Sequence, residues 1–179
     1  MLFHETEVAG CYVVELERMT DERGSFARTF AAADFAARGL DGRVAECSTS
    51  FNAKAGTLRG MHYQAAPHGE AKLVRCTRGA IYDVALDLRP GSETYLRWAG
   101  VELSADDGRA LFVPDGCAHG FQTLVDSAEI LYQISVPYEP AAARGVRWDD
   151  PAFGIAWPPA PTGGRTISPR DAGYPDFAP

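Results

Sequence analysis

Little in this chain points to a membrane, a cross-linked framework or a polymer-binding face. No apolar run approaches the length of a bilayer span. The opening MLFHETEVAG has neither the basic start nor the apolar stretch of a secretory leader, so cytoplasmic residence is expected. Cysteine is scarce, with only Cys11, Cys47, Cys76 and Cys117, no CxxC and no zinc-like spacing. Each lies in or beside an apolar run, so buried free thiols are expected rather than disulfides or ligands. Positive charge is the scarcer sign, 17 Lys and Arg against 24 Asp and Glu, for a net −7. Nucleic-acid partners call for a basic face, and none is visible. The cations that stand out are few and local, Arg23, Arg59 and Lys72, which suits capture of a small anion. There is also no glycine-rich dinucleotide fingerprint and no repeat at a fixed period.

What is present reads as one globular domain over residues 1–179, 46% apolar and 11% aromatic. Residues 11–17 form a strand pattern, followed by a turn at Asp21-Glu22-Arg23-Gly24 and a resumption of extended structure towards Phe30. One convincing helix runs from Ala31 to Arg38, alanine-rich, with Phe35 for packing and Gly39 as its C-cap. Short strand patterns then follow at 44–51, 57–64, 71–77, 80–88, 96–103, 109–113, 119–124 and 128–136. Turn signals such as Arg78-Gly79, Pro90-Gly91-Ser92 and Pro114-Asp115-Gly116 separate them. Many short strands at regular spacing indicate an antiparallel sandwich or barrel. Beyond Pro137 the pattern dissolves into a Pro/Gly-rich tail whose aromatics should pack back on the barrel.

The stretch Gly56-Thr57-Leu58-Arg59-Gly60-Met61-His62-Tyr63-Gln64, with Lys72 after it, sets polar and charged groups into strand. Buried charges are costly unless paired or used, so this stretch is a candidate lining for an active site. Strict alternation sends Arg59 to the face opposite His62, unless Gly60 supports a bulge that brings both inward. Tyr132 shares parity with Ile130 and Ile134, so it should face the interior, and Lys72 shares a face with Val74 and Cys76. A lysine there needs an anion such as an enolate or phosphate, and a buried phenol needs a partner. Snorkelling to solvent and plain core packing are the competing readings.

Pro114-Asp115-Gly116-Cys117-Ala118-His119-Gly120-Phe121 resembles the second cupin motif, whose histidine often binds metal. A metal-dependent oxygenase or isomerase using His62, His119 and Glu70 is therefore one alternative. The first cupin motif's second histidine is missing, however, and nearby Arg59 and Lys72 oppose a divalent cation.

Taken together, the ordered motifs resemble those of the dTDP-4-dehydrorhamnose 3,5-epimerase family of cupin-like sugar-nucleotide epimerases. They include Asp21-Glu22-Arg23-Gly24, Leu58 to Gln64, Lys72-Leu73-Val74-Arg75, Asp83 to Arg89, Pro114 to Phe121, Tyr132, Trp148-Asp149-Asp150-Pro151 and Ser168-Pro169-Arg170-Asp171. The resemblance implies an all-β, cupin-like jelly-roll barrel with a short N-terminal helix and an irregular C-terminal tail packed on the barrel. It implies a homodimer exchanging N-terminal strands, with no metal and no cofactor. The expected reaction is inversion at C3, C5 or both of a nucleoside-diphospho-4-keto-6-deoxy sugar. His62 would then be the base, Asp171 its carboxylate partner, Lys72 the enolate stabiliser and Tyr132 the acid on the opposite face. Substrate contacts are implied for Arg23, Arg59, His119, Glu46, Ser48, Gln64, Tyr138 and Arg170. Arg28 and Glu46 stand where the family commonly has glutamate and glutamine, a change at the nucleotide end. A nucleotide-sugar binder without turnover is the further alternative; it has no use for His62, Lys72, Tyr132 and Asp171 together.

Overall fold

In the computed structural model, which describes residues 1–178, the expected alternation resolves into two antiparallel sheets. The first has the spatial order β1 (Leu2–Glu5), β2 (Tyr12–Glu15), β10 (Ala110–Val113), β7 (Lys72–Arg78), β12 (Ala128–Ile134) and β5 (Glu46–Asn52). The second runs β13 (Ala143–Gly145), β6 (Leu58–Gln64), β11 (Cys117–Thr123), β8 (Ala80–Asp87) and β9 (Trp98–Ser104). A separate hairpin joins β3 (Met19–Asp21) to β4 (Gly24–Phe26). This is the jelly-roll barrel, and every strand expected from 11–17 onward is found within a few residues of its boundaries. Strands β1, β3 and β13 were not foreseen, being too short to show a period.

The core lies between the sheets. Val74 and Cys76 of β7, Leu111 and Val113 of β10 and Ile130 of β12 meet Ile81 and Ala85 of β8, Leu103 of β9 and Phe121 of β11. The outer faces are covered differently. Helix α1 (Ala32–Ala36) lays Phe35 on Leu73, Ala110 and Phe112 of the six-stranded sheet. Burying that one ring contributes roughly 1.5–3 kcal/mol. The tail covers the five-stranded sheet, with Val146, Phe153, Ile155 and Trp157 against Met61, Val84, Leu86 and Ala118. Its aromatics do pack back on the barrel. Helix α2 (Pro169–Ala172), a single turn, was not anticipated. Ser168, whose Oγ accepts from Asp171 N–H, and Pro169 at the first helical position are the cap signals that announce it.

Three cysteines are buried as expected, but Cys47 is exposed, because β5 is an edge strand. Among the described residues, no helix is long and apolar enough to cross a membrane.

Candidate active site

Strand β6 carries Arg59 and His62, three positions apart. Along its ladder with β11, His62 stands opposite His119 and Arg59 opposite Phe121, so three steps on one strand match two on the other. The extra residue is a β-bulge, and both side chains line one cavity of about 320 Å³. Gly60 sits at the slip with φ +141°, and a Cβ there would lie 2.5 Å from Gly120 Cα. Two glycines back to back are what let the strands close over the irregularity.

His62 Nε2 lies 2.8 Å from Asp171 Oδ1, and the other carboxylate oxygen of Asp171 accepts the Gly60 N–H at 3.3 Å. Burial holds the imidazole below its usual pKa of 6.5. The Asp171 hydrogen bond and charge work the other way, and the Lys72 charge reinforces the depression. The imidazole is therefore neutral at pH 7, anchored through one nitrogen with the other free to take a proton. Asp171 arrives on α2, whose approach is fixed by the parallel bridge between Thr57 and Thr166 and by Leu58 N–H donating to Thr166 O at 2.8 Å.

From the opposite sheet come Lys72 and Tyr132, both inward as parity required. Lys72 Nζ is 2.8 Å from Glu70 Oε1 and 3.4 Å from the His62 carbonyl oxygen. Burial pushes the Tyr132 phenol well above its usual value of 10, so it stays protonated and has a proton to give. His62 and Tyr132 thus stand on facing sheets, on opposite sides of the cavity.

His119 is buried with its Nε2 2.7 Å from Asp83 Oδ1, and its ring meets Tyr132 edge-on at 6.0 Å. Asp83 Oδ2 has no hydrogen-bond partner among the described residues. Asp83 was named in the sequence only within a motif. A carboxylate at the inward position between Ile81 and Ala85 was the available signal. Glu70, weighed there as a metal ligand, instead pairs with Lys72. The donors that a metal reading needs are therefore each engaged elsewhere, His62 by Asp171, His119 by Asp83 and Glu70 by Lys72. Among the described residues no group of three His, Cys, Asp or Glu is placed to hold an ion.

The remaining candidates divide. Ser48, Tyr138 and Arg170 line the cavity with Arg59. Gln64 also lines it, but its amide is spent on the backbone, donating to His68 O and accepting from Glu139 N–H. Glu46 is not in the cavity wall; it accepts the Tyr138 N–H at the rim (3.2 Å). Arg23 is the clear departure: it sits on the exposed β3–β4 hairpin, paired with Asp21, and the chain's own fold does not bring it to the cavity.

The family model described as dTDP-4-dehydrorhamnose 3,5-epimerase matches residues 5–179. A protein of that description from Sinorhizobium fredii is 41% identical over 99% of this chain and 90% of its own. The crystal structure of one from Elizabethkingia anophelis superposes with a TM-score of 0.95 at 35% identity, covering 99% of this chain and 96% of that one. A 3′-monoepimerase from Streptomyces bikiniensis, solved with dTDP-quinovose, gives 0.87 at 33% identity, covering 97% and 86%.

Proposed function

The chain belongs to the dTDP-4-dehydrorhamnose 3,5-epimerase family, and on that premise we propose the following division of labour among its residues. The enzyme is a sugar-nucleotide isomerase of deoxysugar biosynthesis. It inverts C3, C5 or both of a dTDP-4-keto-6-deoxy sugar, by default converting dTDP-4-dehydro-6-deoxy-D-glucose to dTDP-4-dehydro-L-rhamnose. His62 takes the proton next to the C4 ketone, and Asp171 stabilises the imidazolium that results. Lys72 holds the oxyanion that develops on the C4 oxygen. Tyr132 returns a proton from the other side, which is what inverts the carbon. Arg59 and Arg170 receive the diphosphate, with Ser48, Tyr138 and His119 around the sugar and base.

One observation carries this reading: a neutral, carboxylate-anchored imidazole faces a protonated phenol across a single cavity that a lysine also lines. The enzyme works as a homodimer in which the β3–β4 hairpin of one subunit reaches the cavity of the other. Support comes from that hairpin's exposure, with Met19 and Phe26 about two-thirds exposed beside Arg23. Three buried free thiols suit a reducing, cytoplasmic setting.

The test is proton exchange in D2O, followed by NMR with dTDP-4-keto-6-deoxyglucose as substrate. Deuterium at C3 and C5 identifies a double epimerase, and deuterium at one carbon a mono-epimerase. Absence of exchange at both carbons, in metal-free and metal-loaded protein alike, overturns the assignment for this substrate.

A further inference from the structure

The cavity holds three permanent cations whose partners differ in kind. Arg59 Nε donates to Asn52 Oδ1 at 2.8 Å and Arg170 Nε to the Tyr174 hydroxyl at 3.1 Å, both neutral acceptors. Lys72 alone is held by a carboxylate, Glu70, in a pair whose side chains are only 10% and 9% exposed. The cations are also separated in space. Arg59 and Arg170 stand, with His62, where the cavity meets a second cleft lined by Thr57, Thr166 and Ser168, whereas Lys72 and Glu70 line the first cavity alone.

We propose that Glu70 sets the register of the substrate by cancelling the charge of Lys72 in the ground state, so that the diphosphate settles on Arg59 and Arg170. The proposal rests on the assignment of Lys72 to the carbonyl end of the substrate. A diphosphate is attracted to a bare ammonium far more strongly than a neutral ketone is, because ion–ion attraction exceeds ion–dipole attraction at equal distance. An uncompensated Lys72 in a half-enclosed cavity would compete for the diphosphate and draw the sugar away from His62 and Tyr132. A carboxylate beside it repels a preformed dianion and so works against the wrong binding mode. The ammonium keeps its usefulness, since it has three donors. One meets Glu70, one faces the His62 carbonyl oxygen, and the third is left for the C4 oxygen. The segment bearing Glu70 is pinned on both sides, by Gln64 Nε2 to His68 O (3.0 Å) and by Ala71 N–H to Ser135 Oγ (2.9 Å).

The measurements are calorimetric titration with inorganic pyrophosphate and steady-state kinetics on the sugar nucleotide. In Glu70→Gln, pyrophosphate binds about tenfold tighter, and kcat and KM fall together with kcat/KM nearly unchanged, the signature of non-productive binding. Glu70→Asp keeps the charge and the wild-type pyrophosphate affinity, and Glu70→Gln with Lys72→Gln returns the affinity to wild type. Unchanged pyrophosphate affinity in Glu70→Gln overturns the proposal, as does a lower kcat at unchanged KM, which would make Glu70 a mere anchor. Should Glu70→Gln fail to fold alone, the double variant Glu70→Gln with Lys72→Gln decides: removing a mutually cancelling pair leaves pyrophosphate affinity within about twofold, whereas a tenfold loss refutes cancellation. Arg59→Gln tests the underlying assignment separately, because pyrophosphate binding that ignores Arg59 removes the diphosphate from that end whatever Glu70 does.

Discussion

His62 sits under opposing influences, and their signs can be read separately. Burial lowers its pKa, Asp171 raises it and Lys72 lowers it further. Catalysis needs the neutral imidazole, so kcat/KM falls as the pH drops through the His62 pKa, which lies below 6.5. Replacing Asp171 by Asn removes the raising influence and moves this acid limb to lower pH. Replacing Lys72 by Met removes a lowering influence and moves it to higher pH. Both variants also lose kcat, by about 10²–10³-fold. Limbs that move in the same direction, measured as kcat/KM profiles, would exclude this arrangement. Tyr132 makes a second prediction. Tyr132→Phe leaves the base intact, so deuterium still enters from D2O at the carbon that His62 attacks. Inversion there is lost, because the facing donor is gone. Retained inversion would pass the acid role to another group.

At the scale of the element, the decisive feature is the bulge of β6. A regular strand points Arg59 and His62 to opposite faces, and the cavity would then lack one of the two side chains. The irregularity depends on Gly60 and Gly120 touching backbone to backbone. Gly60→Ala is accordingly expected to cost about 1–3 kcal/mol, through both the contact and the unfavourable φ. Urea denaturation measures it, and a wild-type midpoint would mean that β6 relaxes around the methyl group. Helix α2 does comparable work with one turn: its Ser168 cap fixes the backbone of Asp171, so a nominally irregular tail supplies a precisely held carboxylate.

For the whole molecule, the two-sheet architecture is what makes inversion feasible. In the proposed mechanism His62 on one sheet and Tyr132 on the other would meet a sugar ring from opposite sides without either strand having to bend around it. The exposed β3–β4 hairpin is the part that one chain leaves unused. If it serves a second copy, the protein runs as a dimer in size-exclusion chromatography with light scattering. Arg23→Ala and His62→Ala, each impaired alone, then complement when refolded together. Mixed dimers hold one intact site of two, so activity climbs towards roughly a quarter of wild type. No recovery would place Arg23 in service of its own subunit or of none.

Alternation set Lys72 on the face of Val74 and Cys76 and turned Tyr132 inward, turn residues separated the strands, and alanine content marked the Ala31–Arg38 region as helical. These are local properties of period and propensity, and they needed no partner strand. Resemblance singled out His62, Asp171, Lys72 and Tyr132, which the fold brings to one cavity and its edge. Tertiary structure alone decided everything that depends on what lies across a ladder or far along the chain. Arg59 joins His62 only because Gly120 stands opposite the bulge, and Asp171 reaches His62 over a separation of 109 residues. Asp83 meets His119 because β8 and β11 are neighbours. Glu70 turns to Lys72 rather than to a metal, Cys47 is exposed because β5 ends its sheet, and Arg23 is left outside the cavity of its own chain. Sheet order is set by the burial of the whole core, and no window of sequence contains that quantity.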